Sequence, residues 1–397
     1  MAKIKWKLVG VLAAVILGGI ALFVCIFQNK PVKLDEPAEI EIWYAENTMS
    51  ADFDRYVEQF NSNDGAVAQV TAKTKCFESE IAMLDAAKNS IENNGELPDL
   101  IMCDVNTCAY LKSNDCLASV ETYTQNWGED DFDKVVVKAC TFDGELVCIP
   151  VAYENDVLIV NKTLCGDADS IGSFEELCSI ANDYYEENKE SFFTIIDYSA
   201  FFNSAMTQLD EQFKAENPFD YDNDNVRYIY DQLATAAFKR GYTAATENPA
   251  VMVADGELAC AVVSTSQVIE AEMSGNMNDI ELLPVPAMEN GNAVYVREIT
   301  GITILKSDEN TEMGASIFLN WFTSEEINGE YAGYSGFFPA IGSAGGEEKG
   351  EKPEIFAELE KLADSLEFKS YNANPDYAFN RYDFNSVMDN IMKKSLR

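Results

Sequence analysis

Two periodicities of apolar residues alternate along the chain. In EIEIWYAEN, the apolar residues Ile40, Ile42 and Tyr44 occupy every second position, which predicts a strand that leads into a polar loop. The segment Asp52 to Phe60 follows with helical spacing, and PDLIMCD at Pro98 to Asp104 is typical of a fully buried strand. Strands that alternate with helices predict an α/β fold.

The alternation continues in the second half of the chain. Ser173 and Glu176 have the spacing of a capping box, which predicts that a helix starts there. Further strands are expected at Leu258 to Val263 and Glu298 to Leu305, with helices at Thr311 to Thr323 and Phe384 to Leu396. A chain of 397 residues that is 47% hydrophobic is long enough to form two lobes.

One polar triplet interrupts apolar sequence. In GELVCIPVAYENDVLIVNKTL, Gly144 to Leu164, two runs predict buried strands, and Tyr153, Glu154 and Asn155 lie between them. Polar residues that follow a proline, here Pro150, also mark turns. The residues alone therefore allow a β-hairpin with a polar turn or a crossing of the chain between two sheets.

The N-terminus is typical of an export segment. Lys3, Lys5 and Lys7 precede an uncharged run from Leu8 to Phe27, which is long enough to cross a bilayer as a helix. We expect residues 1–30 to be an uncleaved membrane anchor, with a lipoprotein signal that lipidates Cys25 as the alternative. Residues 31–38 are then a linker, and the rest of the chain lies at the extracellular face of the cytoplasmic membrane.

Charge and composition exclude several classes of protein. Beyond residue 30 the chain has 24 basic and 68 acidic residues, net −44, so nucleic-acid binding is not expected. The chain contains no histidine, which excludes Ser-His-Asp and Cys-His catalysis and histidine-containing zinc sites. Its ten cysteines have no CxxC spacing, so neither a disulfide framework nor a zinc site is indicated.

One segment has a spacing that resembles a calcium loop. DYDNDNVRYIYD places acids at positions one, three, five and twelve, but Asn225 stands where glycine is expected. The competing interpretation is that Asp224 or Asn225 caps a helix over Val226 to Lys239. The four acids are Asp220, Asp222, Asp224 and Asp231.

Several segments, taken in order, resemble the extracellular solute-binding proteins of ABC importers, the family that includes maltose-binding protein. They are EIEIWYAEN, PDLIMCD, the stretch Gly144 to Leu164 with Asn161-Lys162 at its end, NPAVMVADGELACAVV, and the long segment that begins LLPVPAMENG. The resemblance implies a type II periplasmic-binding-protein fold, in which two α/β lobes close on a ligand by hinge motion.

The resemblance also implies where each lobe begins and ends. The first lobe is expected to comprise residues 39–148 and 262–320, and the second lobe residues 149–261 and 321–397. The chain would then cross between lobes near Cys148 to Asn155, near Val262 to Gln267, and near Trp321 to Gly329.

Ligand contacts follow from the same resemblance. Glu154 stands where the maltose-binding branch has a glutamate that accepts sugar hydroxyls, whereas Asn47 and Asn106 are amides where that branch has acids. Its stacking tryptophans are absent, since Cys103 and Leu258 occupy their places. The other candidate ligand contacts are Tyr44, Glu46, Asp104, Tyr153, Asn155, Tyr198, Ser266, Tyr334 and Tyr382.

The expected function is a membrane-tethered receptor without a chemical step or a cofactor. It would capture a small polar ligand, a sugar or oligosaccharide, and deliver it to the permease subunits of an ABC transporter. The alternatives are a ligand sensor or adhesion module of the same fold and an extracellular hydrolase that uses carboxylates.

Overall fold

The computed structural model describes residues 33–46, 52–123, 134–166, 171–211, 220, 222–244, 248–275, 277–296, 298–335, 337–340, 354–369 and 373–395. The expected membrane anchor, residues 1–30, lies outside the described residues. No helix within the described ranges is both long enough and apolar enough to cross a membrane.

Strands and helices alternate along the chain as the sequence predicts. The strands are β1 (Ala38–Ala45), β2 (Val70–Phe77), β3 (Leu100–Asp104), β4 (Thr141–Phe142), β5 (Glu145–Leu146), β6 (Ile149–Glu154), β7 (Asp156–Asn161), β8 (Phe193–Ile195), β9 (Cys260–Ser264), β10 (Ile280–Pro284), β11 (Val294–Val296), β12 (Glu298–Ile304), β13 (Phe338–Pro339) and β14 (Glu367–Lys369). The helices are α1 (Phe53–Ser62), α2 (Asp64–Ala68), α3 (Glu80–Asn93), α4 (Val105–Ser113), α5 (Val120–Tyr123), α6 (Lys134–Ala139), α7 (Lys162–Cys165), α8 (Phe174–Asn188), α9 (Tyr198–Gln208), α10 (Asp224–Phe238), α11 (Pro249–Ala254), α12 (Thr265–Ser274), α13 (Glu309–Phe322), α14 (Glu325–Ser335), α15 (Phe356–Ala363) and α16 (Tyr377–Ser395).

The strands form two main sheets, one in each lobe. A six-stranded sheet has the order β13-β6-β12-β3-β1-β2, and a four-stranded sheet has the order β10-β7-β9-β8. A small parallel pair, β11 with β14, lies outside both sheets. The expected two-lobed α/β architecture is therefore present.

Both faces of the six-stranded sheet are covered, and β1 illustrates why. Ile40, Ile42 and Tyr44 point into one hydrophobic cluster, whereas Trp43 and Ala45 point into the cluster on the opposite face. Successive side chains of a strand point to opposite faces, so a strand that is apolar on both faces must be buried on both.

The polar triplet marks a crossing between the sheets and not a hairpin. Strand β6 pairs with β12 and β13, whereas β7 pairs with β9 and β10, so the two strands belong to different sheets. Asn155 alone separates the end of β6 from the start of β7. The hairpin alternative is wrong.

The expected lobe boundaries need correction, because strand pairing assigns each segment. Strand β6 belongs to the first sheet, so the first lobe extends past residue 148 to Glu154. Strands β9 and β10 both pair with β7, so the chain returns to the first lobe between Pro284 and Glu298, and not near Val262 to Gln267. Strand β13 pairs with β6, so the last crossing follows Pro339 and does not lie near Trp321 to Gly329.

Gly301 provides a test of how closely the first sheet packs. A Cβ atom at Gly301 would lie 2.5 Å from Cys148 Sγ and 2.9 Å from Cys148 Cβ. Overpacking of this kind costs about 1–3 kcal/mol, so we expect Gly301→Ala to lower the free energy of unfolding by that amount in urea denaturation.

Gly329 in α14 supplies the matched control. Nothing lies within 4 Å of a Cβ atom placed there. Gly329→Ala should leave stability unchanged or raise it by about 0.5–1 kcal/mol, because alanine favours the helix. Equal stability of the two variants would contradict the packing described.

Candidate functional site

Carboxylates collect at one edge of the six-stranded sheet. Strands β1, β2 and β3 are mutually parallel, and β6 has the same direction because both β3 and β6 run antiparallel to β12. The carboxyl ends of these strands therefore meet at one edge, where ligands of α/β proteins bind. Asp104 ends β3, Glu154 ends β6, and Glu298 begins β12 directly opposite Glu154.

The edge of the second sheet meets this one through Asn155. Asp156 begins β7 and lies opposite Ser264, the last residue of β9. Strand β8 is parallel to β9, so Asp197, which follows β8, lies at the same edge. We call the space between the two edges the cleft.

An arginine of the second lobe neutralises two acids of the first lobe. Helix α16 packs against α9 and α10 of the second lobe and reaches α4 of the first. From α16, Arg381 Nη2 lies 2.7 Å from Glu80 Oε2 and 3.0 Å from Asp104 Oδ2. The Arg381 side chain is 13% exposed, so these ion pairs are largely removed from water and join the lobes.

Tyr382 completes this contact. Its hydroxyl accepts a hydrogen bond from Arg381 Nη2 at 2.6 Å and donates one to Glu80 Oε2 at 3.1 Å. Its ring lies under the guanidinium, 4.6 Å from Arg381 Cζ to the ring centroid. Asp104 is also held by its own helix, because its Oδ1 accepts from the backbone N–H of Asn106 at 2.8 Å.

Four other carboxylates face the cleft, and none of them forms an ion pair with a cation among the described residues. Glu154 accepts a hydrogen bond from Ser266 Oγ at 2.6 Å, and Asp197 caps α9 by accepting from the backbone N–H of Ala200 at 2.9 Å. The side chains of Asp156 and Glu298 have no hydrogen bond or ion pair with any residue that the structure describes, although Arg381 attracts Glu298 electrostatically. We call Glu154, Asp156, Asp197 and Glu298 the acidic pocket.

Burial and mutual repulsion disfavour ionisation in this pocket. Burial raises the pKa of Asp156 to about 8, and the charges of Asp197 and Glu154 add to the effect. Burial likewise raises the pKa of Glu298 well above its usual range, with help from the charges of Asp197 and Asp156, and Arg381 opposes this rise only in part. The pKa of Glu154 is raised by burial even though Ser266 favours its charged form.

Buried amides without partners lie at the same edges. Asn106 is fully buried, and its Oδ1 accepts from the backbone N–H of Asn374 at 3.1 Å, whereas its Nδ2 has no partner among the described residues. Asn155 is 1% exposed, and neither side-chain atom has a partner. Buried polar groups are normally satisfied, so these atoms indicate that a polar group is missing.

Two of the predicted ligand tyrosines lie in the hydrophobic core. Tyr44 is 3% exposed, packs against Phe53 and donates to Asp54 Oδ1 at 3.1 Å. Tyr198 is equally buried, and its hydroxyl bonds to that of Tyr242. Both predictions are wrong, because these rings have no face that a ligand could reach.

The remaining predicted contacts have mixed positions. Tyr153 is half-buried, and its ring stacks on Phe338 with 5.2 Å between centroids. Glu46 is exposed just after β1. Asn47 and the side chain of Tyr334 lie outside the described residues.

A calcium loop cannot form as the spacing suggested. Helix α10 begins at Asp224, so Asp231 lies two turns inside a helix and cannot close a loop. Asn223, and neither Asp224 nor Asn225, caps this helix by accepting from the backbone N–H of Asn225 and of Val226. Among the described residues, no group of acids or cysteines is arranged to hold a metal ion, and this includes Asp220 and Asp222.

Five charged residues of the cleft were not predicted. Asp156, Asp197 and Glu298 lie beside or at the ends of predicted or observed strands, and that position is the signal that could have identified them. Glu80 and Arg381 offer no such signal, because they reach the cleft only through the packing of α3 and α16.

The acidic pocket makes stability depend on pH. An aspartate has a pKa of about 4 when unfolded, and Asp156 has a pKa of about 8 when folded. Its neutral form is favoured in the folded protein, so its contribution to stability is complete below pH ~4 and is lost as the pH rises through 8.

We therefore expect Asp156→Asn to stabilise the unliganded protein at high pH. At pH ~8 the gain should be at least about 1.4 kcal/mol, the equivalent of one pKa unit, and it should shrink towards pH ~4. Urea denaturation at a series of pH values measures this. Asp85→Asn, at an exposed position of α3, is the control; if both variants changed the pH profile alike, the pocket would not be its source.

The fold is similar to that of several solved binding proteins. A chitin oligosaccharide binding protein is 12% identical with a TM-score of 0.73, over 90% of this chain and 95% of that one. The maltose-bound MalE3 of T. maritima is 14% identical with a TM-score of 0.72, over 90% and 94% of the two chains. The cyclic alpha-maltosyl-1,6-maltose binding protein of Arthrobacter globiformis is 16% identical with a TM-score of 0.69, over 91% and 95%.

These likenesses establish the fold, and the sequence itself establishes the family. No curated protein sequence matches the chain. The model of a family described as "Bacterial extracellular solute-binding protein" matches residues 55–358, which is most of the chain. The resemblance inferred from the sequence is confirmed: the chain belongs to the family of bacterial extracellular solute-binding proteins.

Proposed function

We propose that this protein is the receptor of an ABC importer and captures a carbohydrate in the cleft. The observation that carries the proposal is the convergence of carboxylates from both lobes, with Glu154 and Glu298 from one and Asp156 and Asp197 from the other. Carboxylate oxygens accept hydrogen bonds from sugar hydroxyls. The names of the similar structures, which bind chitin oligosaccharide and maltose, support this ligand class.

Hinge motion couples binding to delivery. The first crossing is a single residue, Asn155, so a small change of backbone angles there would rotate one sheet relative to the other. A ligand that touches both edges binds the closed form better than the open form and shifts the equilibrium towards closure. The Arg381 ion pairs with Glu80 and Asp104 would form in the same closing movement.

Delivery requires a membrane partner and a tether. We propose that the closed receptor docks on permease subunits at the extracellular face, and that residues 1–30 hold it at the membrane as an anchor or through a lipid on Cys25. The protein performs no chemical step in this proposal. A sensor without transport and a carboxylate-dependent hydrolase are the outcomes that the experiments below distinguish.

Glu154→Gln tests whether the cleft binds the ligand. Glutamine keeps the size of the side chain and removes its charge, so affinity for the ligand should fall at least about ten-fold, or 1.4 kcal/mol. Stability should not fall, because the substitution relieves repulsion with Glu298. Isothermal titration calorimetry against neutral oligosaccharides and their amine-bearing forms measures affinity.

Glu58→Gln, an exposed acid on α1, is the control and should bind like the parent. Unchanged affinity of Glu154→Gln for every ligand that the parent binds would show that the ligand does not bind at Glu154 in the cleft. Product formation in the same mixtures would support a hydrolase, and normal uptake of the ligand after deletion of the gene would support a sensor.

A further inference from the structure

The carboxylates of the cleft form two groups. One group is ion-paired with an arginine, and the other has no ion pair among the described residues. Glu80 and Asp104 share the charge of Arg381, which lies within 3.0 Å of both. The acidic pocket has four carboxylates and no ion pair with any cation among the described residues. Its hydrogen-bond donors among the described residues are neutral, such as Ser266 Oγ on Glu154, and Arg381 attracts Glu298 without forming an ion pair with it.

The arrangement of the pocket is fixed by the backbone. Glu154 and Glu298 are directly opposite on neighbouring strands, where Cβ atoms are about 5 Å apart and like charges destabilise a sheet. Asp156 follows Glu154 by two residues and carries its carboxyl to the edge of the other sheet. The protein therefore holds like charges together at the place where its two sheets meet.

A neutral sugar would not reduce the repulsion between these carboxylates. Its hydroxyls donate hydrogen bonds but bring no charge, whereas an ammonium group brings one positive charge and three N–H donors. Charge-assisted hydrogen bonds are about twice as strong as neutral ones. The pocket thus matches the chemistry of a protonated amine.

A second observation, independent of charge, shows that the ligand is more than a cation. Asn106 Nδ2 is a buried donor without an acceptor among the described residues, two residues after Asp104 at the end of β3. Asn155 has a buried amide oxygen and nitrogen without partners, between Glu154 and Asp156 in the chain. A simple polyamine offers no acceptor for these N–H groups, whereas a sugar hydroxyl is both donor and acceptor.

The aromatic residues of the cleft also favour recognition by polar contacts. The Tyr153 ring is stacked on Phe338, and the Tyr382 ring is covered by the Arg381 guanidinium. Each ring thus has a face already in use. Polar contacts must therefore supply much of the recognition.

We infer that the ligand is an amine-bearing carbohydrate, whose ammonium group binds among Glu154, Asp156, Asp197 and Glu298 and whose hydroxyls meet the buried amides. This inference rests on the proposed function and narrows its ligand class. Binding of the ammonium would supply the positive charge that Arg381 supplies to Glu80 and Asp104, and would favour closure of the lobes.

The test compares two sugars with the same backbone, one with ammonium groups and one with neutral acetamide groups in their place. Calorimetry on the full chain would use the β-1,4-linked trimer of glucosamine and the same trimer with all three amines acetylated, with spermidine as a cation that is not a sugar. We expect the free-amine trimer to bind at least about ten-fold more tightly than the acetylated trimer, and its affinity to fall as salt is added.

Glu298→Gln identifies the pocket as the source of that preference. The ratio of the two affinities should fall at least about three-fold in Glu298→Gln and remain at the parent value in Glu58→Gln. Circular dichroism and the thermal midpoint of each variant establish that it is folded. An unchanged ratio in Glu298→Gln would overturn the assignment to this pocket.

The remaining outcomes separate this inference from the proposed function. Equal or tighter binding of the acetylated trimer would overturn the inference and leave a carbohydrate receptor in place. Binding of spermidine alone would keep the charge preference and overturn the carbohydrate class for both. Binding of none of the three probes would overturn the inference.

Discussion

The structure depends on the single residue that joins its two sheets. Strand β6 ends the first sheet's contribution at Glu154, and β7 begins the second sheet at Asp156, with Asn155 between them. A connection this short forces the edges of both sheets to lie together. It also places two carboxylates, one from each lobe, within two residues of each other. The position of the cleft and much of its charge follow from this connection.

Electrostatics then distinguishes the two halves of the cleft. Helix α16 belongs to the second lobe by its packing, yet its Arg381 ends among acids of the first. On that side, the ion pairs join opposite charges of the two lobes. On the other side, Glu154, Asp156, Asp197 and Glu298 lie close together, and none of them has an ion pair within the part of the chain that the structure describes. A positively charged ligand would attract these carboxylates from both lobes and so favour closure, as Arg381 does on the other side.

Local pattern predicted much of the fold. The alternation in EIEIWYAEN and the apolar run in PDLIMCD predicted β1 and β3, whereas the family resemblance was needed to choose a crossing over a hairpin at Tyr153 to Asn155. What pattern could not give is pairing between distant segments. Arg381 is 277 residues from Asp104, and Glu298 meets Glu154 only because β12 lies beside β6.

The predicted lobe boundaries were wrong because they too depend on pairing between distant segments. Nothing in the sequence of β10 says that it pairs with β7, and that pairing moves the second crossing past Pro284. The predictions for Tyr44 and Tyr198 were wrong for a different reason. An aromatic side chain at a strand end or helix start can line a cleft or fill a core, and the packing of neighbouring helices determines which. Helix α1, with Phe53, packs over Tyr44, and α10 packs in the same core cluster as Tyr198, so both rings lie in the core.

Carbon-13 NMR of the side-chain carboxyls, followed as a function of pH in the unliganded protein, tests the central claim most directly. Signals assigned by Asp156→Asn and Glu298→Gln report whether these groups are buried together without a cation. The account predicts that at least one of them titrates far above the ordinary carboxyl pKa of about 4, Asp156 at about 8. Titration of both groups near pH ~4 would contradict it, because it would mean that the carboxylates do not share one pocket.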